Sequence, residues 1–346
     1  MIPEDRNDTK EDQLDDEYPD NSEHLESEES DEGEEDEKPS SGEGPLVTEA
    51  VEESLFEDVT HTKMARYTMQ SDVFKYNNKF KSREQFKVLK YSDAVYRGII
   101  DEETGKRQEK GIMVYENGRV YEGHWHMDRR HGRGYEKYDN DNVYLGDFYK
   151  GKAHGRGLYT WANGEFYEGE WQMGKKHGYG EWKGKDGESY VGDWVENKAH
   201  GHGTYNWRNG DLYVGQWYKC LKHGLGKDTF ANGDIYEGEY RYGRPCGKGK
   251  YIWTNDSKYE GDFKNGKKEG QGVWVKGKLP RQARFEGKYM RDKKNGRGKF
   301  TWPSGNVYEG DYKDDERHGF GSMTWVDGSE YRGQWVHGVQ QGMGEM

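Results

Sequence analysis

Cysteine is scarce in this sequence, because only Cys220 and Cys246 occur among its 346 residues. Two cysteines do not make the disulfide framework of a small secreted domain, so they indicate a reducing compartment. The N-terminal stretch MIPEDRNDTKEDQLDDEY is acidic and has no apolar segment, so we expect no secretory signal peptide. No run approaches the ~20 apolar residues that a transmembrane helix needs.

Hydrophobic side chains are also few, since 30% of the residues are hydrophobic, 34% are charged and the mean hydropathy is -1.34. A conventional core is hard to build from so little aliphatic material. Tyrosine, tryptophan and glycine are abundant instead, with 27, 12 and 50 copies. This composition predicts an ordered chain that packs in an unusual way, through aromatic side chains and glycine.

Charge is distributed unevenly along the chain. Residues 1–60 contain 25 acidic and three basic residues, whereas the remaining residues contain 41 acidic and 50 basic ones. Such an acidic block repels itself, so we predict a disordered tail. The tail either only solvates the chain or contacts a basic surface of a partner or of this chain. Residues 61–95, with eight basic and three acidic residues and several aromatics, are predicted to be an arm or a cap.

A repeat occupies residues 96–346, and its unit is Tyr-x-Gly-x-aromatic. Units begin every 23 residues, except for 26 residues between Tyr259 and Phe285, and a degenerate first copy begins at Tyr96. The signature residues of the unit are Tyr121, Gly123, Trp125, Tyr144, Gly146, Tyr167, Gly169, Trp171, Tyr190, Gly192, Trp194, Tyr213, Gly215, Trp217, Tyr236, Gly238, Tyr259, Gly261, Tyr308, Gly310, Tyr331, Gly333 and Trp335.

Each unit is predicted to be a β-hairpin. In YEGEW, strand alternation places Tyr167, Gly169 and Trp171 on one face, and Glu168 and Glu170 on the other. An aromatic ring that lies over a glycine of the neighbouring strand compensates for the poor strand propensity of glycine. An isolated hairpin is only marginally stable, so each unit needs its neighbours.

Two kinds of turn connect the predicted strands. Pairs such as Asn163-Gly164 and Asp327-Gly328 predict tight turns between units. The GKKHG type predicts a slightly longer loop that its His-Gly pair closes. Because a meander collects all turns of one kind at one edge, this type predicts a basic edge. Its residues are Arg129, Arg130, Lys175, Lys176, Lys222, Lys267, Lys268, Lys293 and Lys294.

The unit YEGEWQMGKKHGYG, repeated about ten times in register, closely resembles the MORN (membrane occupation and recognition nexus) repeat. The resemblance implies an all-β fold, an elongated single-layer antiparallel β-meander of stacked 23-residue MORN hairpins. Relatives of this family that are enzymes carry the repeats ahead of a lipid-kinase or methyltransferase domain. Here the repeats run to Gly344, so we expect no enzyme and no catalytic residue.

Two cofactor alternatives are disfavoured by spacing. The segments GRGYEK, GRGLYT and GHGTYN lack the third glycine of G-x-G-x-x-G, and no βαβ unit follows them, so we expect no nucleotide cofactor. Histidines recur once per hairpin, roughly 10 Å apart, which is too far for adjacent ones to share a zinc ion. Cys246, Glu269, Asn295 and Gln341 replace them elsewhere, which suits a turn position better than a metal ligand.

The basic edge is either an ordinary solvated edge or a contact for acidic proteins or phospholipid head groups. We expect no protruding apolar residue there, and stable membrane anchoring usually needs a second signal. Nucleic acid is disfavoured, because the whole chain is acidic and its aromatics lie in the sheet. The aromatic face, expected to be partly exposed, and the unpaired terminal strands offer further contacts, including homo- or heterodimerisation through sheet edges.

These features predict a non-catalytic structural scaffold, a protein–protein interaction blade within a cytoskeletal assembly. The all-MORN architecture with a long acidic segment is similar to radial spoke head proteins of motile cilia. That resemblance implies a cytoplasmic, cytoskeletal location in the axoneme of a cilium or flagellum, with radial spoke or other axonemal subunits as partners. The alternatives are a peripheral membrane adaptor that binds anionic phospholipid through the basic edge, and an accessory subunit of an enzyme.

Overall fold

The computed structural model of the protein describes residues 86–278 and 281–345. The predicted acidic tail and residues 61–85 of the predicted arm lie outside the described residues. Within the described ranges no helix is long and apolar enough to cross a membrane.

The described secondary structure consists of strands joined by turns. The strands are β1 Phe86–Lys90, β2 Ala94–Ile100, β3 Arg107–Tyr115, β4 Val120–His126, β5 Arg129–Lys137, β6 Val143–Tyr149, β7 Lys152–Thr160, β8 Phe166–Gln172, β9 Lys175–Lys183, β10 Ser189–Val195, β11 Lys198–Asn206, β12 Leu212–Tyr218, β13 Leu221–Thr229, β14 Ile235–Arg241, β15 Arg244–Ile252, β16 Ser257–Lys264, β17 Lys267–Lys276, β18 Ala283–Met290, β19 Lys293–Thr301, β20 Val307–Lys313, β21 Glu316–Thr324, β22 Glu330–Val336 and β23 Val339–Glu345.

The described residues group into two units. The N-terminal unit contains residues 86–220 and 226–235, and the C-terminal unit contains residues 221–225, 236–278 and 281–345. In the N-terminal unit each strand from β1 to β12 pairs antiparallel with the next strand. In the C-terminal unit the same holds from β15 to β23. The predicted antiparallel meander is therefore confirmed.

The sheet begins earlier than the repeat pattern indicated. β1 pairs with β2 over Phe86–Lys90, so residues 86–95 of the predicted arm or cap add a strand to the sheet beside the first repeat. Tyr96 lies over Gly98 and Gly111 in the same way as the later repeat tyrosines lie over their glycines. The degenerate copy at Tyr96 is thus a complete structural repeat.

The structure reverses the predicted lengths of the two turns. Met173 and Gly174, with φ of 52° and 88°, form the tight two-residue turn between β8 and β9. The Asn163-Gly164 pair instead ends a longer loop, in which the Trp161 N–H donates to the Glu165 carbonyl (3.0 Å). Because both turn residues have positive φ, the turn has a twist that matches the twist of the flanking strands.

The His-Gly pair is not part of a turn. His177 and Gly178 lie inside β9, where the register shifts so that Glu170 pairs with His177 while Gly169 pairs with Gly180. The pair therefore sits at a β-bulge, and the positive φ of Gly178 (58°) serves the bulge.

Tyrosine rings lie over paired glycines on one face of the sheet, which we call the ladder face. Tyr167 covers Gly169 of its own strand and Gly180 of the next, and a Cβ on either would fall under 3.0 Å from the ring. The Tyr167 hydroxyl donates to the Glu170 carbonyl (2.9 Å), at the bulge. The predicted pairing of rings with glycines is confirmed, and it explains why no larger residue fits.

The rings of the ladder face contact one another edge to face. Tyr167 meets Trp171 of its own strand at 5.1 Å between ring centroids and Trp194 of the next repeat at 5.3 Å. The same arrangement in the C-terminal unit joins Tyr308 to Trp335 at 5.3 Å. Such contacts stabilise by about 0.5–1.5 kcal/mol beyond the burial of area.

The ladder face is a buried core and not the partly exposed contact surface that we expected. Tyr167 and Tyr190 are 0% exposed, and Trp171 and Trp194 are 5% and 2% exposed. A single-layer sheet was expected to leave each ring exposed to solvent on this face. In the structure neighbouring rings and long basic side chains cover each ring, so one layer buries its own aromatics.

Candidate interaction edge

The tight turns of each unit lie along one edge of its sheet, which we call the turn edge. In the N-terminal unit these turns are residues 127–128, 150–151, 173–174, 196–197 and 219–220. In the C-terminal unit they are residues 242–243, 265–266, 291–292, 314–315 and 337–338.

Backbone hydrogen bonds fix each turn to the preceding repeat. The Gly174 N–H donates to the Ala153 carbonyl (2.8 Å), and the Asn197 N–H donates to the Lys176 carbonyl (3.0 Å). Where the second turn residue is Asn or Asp, its side chain adds a bond: the Lys176 N–H donates to Asn197 Oδ1 (2.8 Å). The turn edge is therefore a regular array with one anchored turn per repeat.

The predicted basic edge divides into two rows that point in different directions. Among the predicted edge residues, those that directly follow a turn are exposed; this row contains Arg129, Lys175, Lys267 and Lys293. The second residue lies on the ladder face; this row contains Arg130, Lys176, Lys222, Lys268 and Lys294. Strand alternation causes the division, because the first residue after the tight turn already belongs to the strand.

The inward row packs on the aromatic ladder. The Lys176 ammonium lies 4.7 Å from the Trp194 ring centroid and 5.6 Å from that of Trp161. In the C-terminal unit Lys268 lies 5.4 Å from the Trp253 centroid, and Arg317 lies 4.5 Å from that of Trp335. Cation–π attraction favours such pairs, so these residues stabilise the ladder and do not form a contact surface.

Lys176 is more deeply buried than Arg130, the other fully buried residue of the inward row. This side chain is 2% exposed, and burial lowers its pKa to about 8, while the charges of Cys220 and Glu165 raise it. The ring contacts also favour the charged form and so oppose the effect of burial. Lys176 is therefore unsuited to bind an external partner.

A buried ion cluster interrupts the ladder near its N-terminal end. Glu136 is 0% exposed and pairs with Tyr121 in register, where other repeats have an aromatic residue such as Tyr159. Its carboxylate accepts hydrogen bonds from Arg119 (Nη2–Oε1 2.9 Å) and from Arg130. The sequence signal for this cluster was an acid in an otherwise mostly aromatic column of the repeat, a position that Asp228, also buried, holds in a later repeat.

The exposed part of the turn edge carries apolar side chains as well as charges. Met127, Met173 and Met290 are 43%, 43% and 44% exposed, and Tyr149 is 39% exposed. The expectation of an edge without protruding apolar residues was therefore wrong. It failed because turn and strand-end positions at this edge are exposed whatever their polarity: Met127 and Met173 are the first residues of their turns, and Tyr149 and Met290 are the last residues of β6 and β18. Met173 and Lys175 thus stand together at one turn.

The recurring acids and histidines have structural roles in the described strands. The Asp193 carboxylate accepts a hydrogen bond from the His202 N–H (2.8 Å) across the bulge. The rings of His131 and Tyr149 lie 5.4 Å apart, and Tyr149 and His154 are equally close. Burial, with His126, His124 and Lys150, lowers the pKa of His131. Among the described residues no group of three or more His, Cys, Asp or Glu side chains could hold a metal ion.

These features define a class: a repeat protein in which stacked hairpins share one aromatic ladder and present one turn per repeat. The chain belongs to the MORN-repeat family, whose model matches residues 121–143, 144–166, 167–189, 190–212, 213–235, 236–258, 259–278, 285–307, 308–330 and 331–346. Repeat proteins of this family bind other proteins or membranes. No curated protein matches the chain.

Solved structures with some similarity to the chain include two TCP domains. The TCP domain of SAS-4 (dCPAP) from Drosophila melanogaster, in complex with a proline-rich motif of Ana2 (dSTIL), is 15% identical; the match covers 45% of this chain and 77% of that chain, with a TM-score of 0.27. A mutant TCP10 domain of CPAP from Danio rerio is 9% identical; the match covers 70% of this chain and 96% of that chain, with a TM-score of 0.21.

Proposed function

We propose that this protein is a non-catalytic structural scaffold that binds other proteins through its turn edge. The observation that carries the proposal is the repeated, anchored turn. In each unit the turns combine an exposed basic residue, such as Lys175, with an exposed apolar one, such as Met173. Mixed basic and apolar side chains on a rigid backbone suit a partner with an acidic surface that is itself repetitive.

The division of the basic residues supplies a test with a built-in control. Lys175→Glu and Lys293→Glu reverse exposed charges, so we expect weaker pull-down of the partners from an extract, with an unchanged unfolding midpoint. Lys176→Glu places an acid among buried rings, so we expect a loss of stability from that substitution. Undiminished partner capture by the Lys175→Glu, Lys293→Glu variant would contradict a role for the turn edge.

The assembly that we propose is the axoneme of a motile cilium, with radial spoke subunits or other axonemal proteins as partners. Support comes from the sequence alone, since an all-MORN chain with a long acidic segment resembles radial spoke head proteins. A tagged copy expressed in ciliated cells should stay with axonemes after detergent removes the membrane and should resist moderate salt. Complete release with the membrane fraction would refute this location.

A second candidate function is a peripheral adaptor that binds anionic phospholipid. The observation that favours it is the exposure of Met127, Met173 and Met290 beside basic residues, because apolar side chains give the second signal that a basic patch needs for membrane binding. Sedimentation with vesicles containing anionic lipid tests it. Binding that both Met173→Ser and Lys175→Glu weaken would favour the adaptor, and absence of binding at low salt would exclude it.

A further inference from the structure

Four rings form a continuous row across β4–β7, on the side of the sheet opposite the ladder face. The ring centroids of His126 and His131 lie 5.5 Å apart, those of His131 and Tyr149 lie 5.4 Å apart, and those of Tyr149 and His154 lie 5.4 Å apart. Strand alternation places them on this side, because chain neighbours such as Trp125 belong to the ladder face. We call these four residues the ring row.

The ring row is accessible from solvent. His126 is exposed, Tyr149 is 39% exposed, and His131 and His154 are each partly exposed. The row begins at the strand ends beside the turn edge, since His126 is the last residue of β4 and Tyr149 is the last residue of β6. A partner that reaches the turn edge from this side of the sheet therefore contacts these rings.

The hairpins form without an imidazole at these positions. In the C-terminal unit the same strand-end and bulge positions hold Lys264, Glu269, Met290 and Asn295. The register shift at the bulge is kept there, both between β16 and β17 and between β18 and β19. The ring row is therefore a property of the surface of β4–β7 and not a condition for folding the repeat.

Basic side chains gather at the β5–β7 end of the ring row. Beside the turn edge, on this side of the fully described strands β5–β7 and in the turn between β6 and β7, the charged residues are Arg129, Arg133, Asp147, Lys150, Lys152 and Arg156. Asp147 Oδ2 accepts a hydrogen bond from the Arg156 N–H (3.2 Å), so the acid of this group also serves the bulge. This end of the row is thus strongly basic.

Acidic side chains lie at the two ends of the ring row. The β3 end has Lys110 and Glu109, and the loop before β3 carries Asp101, Glu102, Glu103 and Lys106. Asp128, in the turn after β4, accepts hydrogen bonds from the backbone and side chain of Arg107 (2.9 and 3.1 Å). Glu170 follows on β8. The basic surplus is therefore confined to β5–β7, between acids on either side.

The imidazoles add a charge that depends on pH. Histidine is the side chain that ordinarily gains its charge between pH 8 and pH 5. Burial, with His126, His124 and Lys150, lowers the pKa of His131. His154 Nδ1 accepts a hydrogen bond from the Met173 N–H (3.4 Å), so the ring carries its proton on Nε2. A carboxylate placed on the row would favour the charged form of these rings.

We propose that the ring row, together with the basic side chains of β5–β7, binds an acidic polypeptide and binds it more tightly as the pH falls from 7.5 to 6.0. The inference rests on the proposed function, because the ring row continues the turn edge onto this side of the sheet. Binding of carboxylates takes up protons, so by linkage a lower pH raises the affinity. The partner keeps its charge, because Asp and Glu titrate near pH 4.

An acidic polypeptide fits this surface better than a lipid membrane does. A uniformly anionic membrane would also press on Glu109 and Glu170 at the two ends of the row, and like charges would oppose binding. A polypeptide can place its carboxylates over β5–β7 alone. The recognised chemistry is therefore a row of carboxylates on one chain.

Binding of poly-L-aspartate to the full chain tests the proposal. The probe carries a rhodamine dye, and fluorescence anisotropy at constant ionic strength gives Kd at pH 7.5 and pH 6.0. We expect Kd to fall roughly tenfold or more at the lower pH, because several imidazoles gain charge. His126→Asn, His131→Asn and His154→Asn together should reduce this change to less than about threefold. A tenfold change that persists in the triple variant would overturn the assignment.

A histidine pair of the C-terminal unit provides the matched control. The rings of His318 and His337 lie 6.0 Å apart, but His337 Nδ1 lies 2.7 Å from Glu316 Oε2, so this pair has an acid beside it. His318→Asn with His337→Asn should keep the full pH dependence. Loss of the pH dependence in this control variant would place the effect outside the ring row and refute the proposal.

Proton uptake gives a measurement that does not depend on the stability of the variants. Titration calorimetry of the parent chain with poly-L-aspartate at pH 6.5, in two buffers of different ionisation enthalpy, counts the protons that are bound. We expect roughly one proton or more per chain, and fewer in the triple variant. Binding without proton uptake would contradict a role for the imidazoles.

The outcomes separate this inference from the proposed function. Equal Kd values at pH 7.5 and pH 6.0 would refute the ring row and leave the turn edge in place. Undiminished partner capture by the Lys175→Glu, Lys293→Glu variant, with the pH dependence intact, would refute the turn edge and leave the ring row. Binding to vesicles of anionic lipid at pH 6.0 without binding to poly-L-aspartate would overturn the choice of a polypeptide.

Discussion

The side of the sheet opposite the ladder face, which we call the outer face, differs between β2–β5 and the C-terminal unit. The ladder faces of the two regions are alike. Tyr121 and Tyr308 are each buried, each lies over two glycines and each contacts aromatic rings edge to face. On the outer side, Glu122 is buried and Glu309 is exposed. The ladder face is therefore common to the repeats of both regions, whereas the outer face differs between them.

The difference also shows how a repeat protein varies its surface without changing its backbone. Outer-face side chains do not touch the ring and glycine pairs, so they can change independently. In the C-terminal unit they are mostly charged and exposed, with Val275 (3% exposed) as an exception. In β2–β5 several of them are apolar and buried, such as Val95, Val114 and Val120. Variants at equivalent positions of the two regions test this contrast.

The largest effect is expected from a charge placed among the buried outer-face valines of β2–β4. Val114→Lys buries an unpaired ammonium among Val95 and Val120, so we expect a loss of about 3–5 kcal/mol in the free energy of unfolding. Thr324→Lys, at the equivalent exposed position, should change it by less than about 0.5 kcal/mol. Urea denaturation measures both, and amide exchange in β2–β5 locates the loss. Equal effects of the two variants would remove the contrast.

A smaller, pH-dependent effect is expected at Glu122. Its pKa is raised from 4.5 to about 7 by burial, so the folded state binds the proton more tightly than the unfolded state. The associated stability is fully present below pH 4.5, is lost as the pH rises to about 7, and amounts to on the order of 3 kcal/mol.

Glu122→Gln removes this titration and should make stability between pH 5 and pH 8 less pH-dependent than in the parent chain. The substitution should stabilise the protein at about pH 8, because a neutral amide replaces a buried carboxylate. Glu309→Gln is the matched control, and it should leave the pH profile unchanged. A parallel pH profile for the parent and Glu122→Gln would show that the carboxyl group at position 122 is hydrated.

The ladder was predictable from sequence because its parts recur at a fixed period. Tyr167, Gly169 and Trp171 alternate in a strand pattern, and Gly180 recurs at the paired position, so their common face followed directly. The turns were less predictable, since Asn163-Gly164 suits both a two-residue turn and the end of a longer loop. Only the register showed that Met173-Gly174 is the tight turn.

The basic edge was predicted only in part because its orientation depends on that same register. Once the tight turn is placed at Met173-Gly174, Lys175 becomes the first strand residue and Lys176 falls opposite Trp171. The burial of Val114 and Val120 could not be predicted from the repeat pattern, because valine suits an exposed strand position as well as a buried one.

The smallest effect compares a buried with an exposed outer-face valine within the N-terminal unit. Val120 is 5% exposed and Val214 is 48% exposed, although both lie on the outer face of a repeat strand. Val120→Ala leaves a cavity beside Val114, so we expect a loss of about 1–2 kcal/mol in the free energy of unfolding. Val214→Ala removes two methyl groups that water already reaches, so we expect a change within about 0.5 kcal/mol.

The pair also separates packing from strand propensity, because valine to alanine lowers strand propensity at both positions. A loss at Val120 that matches the loss at Val214 would mean that propensity alone is measured. A larger loss at Val120 that shrinks in a Val114→Ala background would attribute the difference to packing between these two paired residues. The two changes would then be non-additive, as expected for residues in contact.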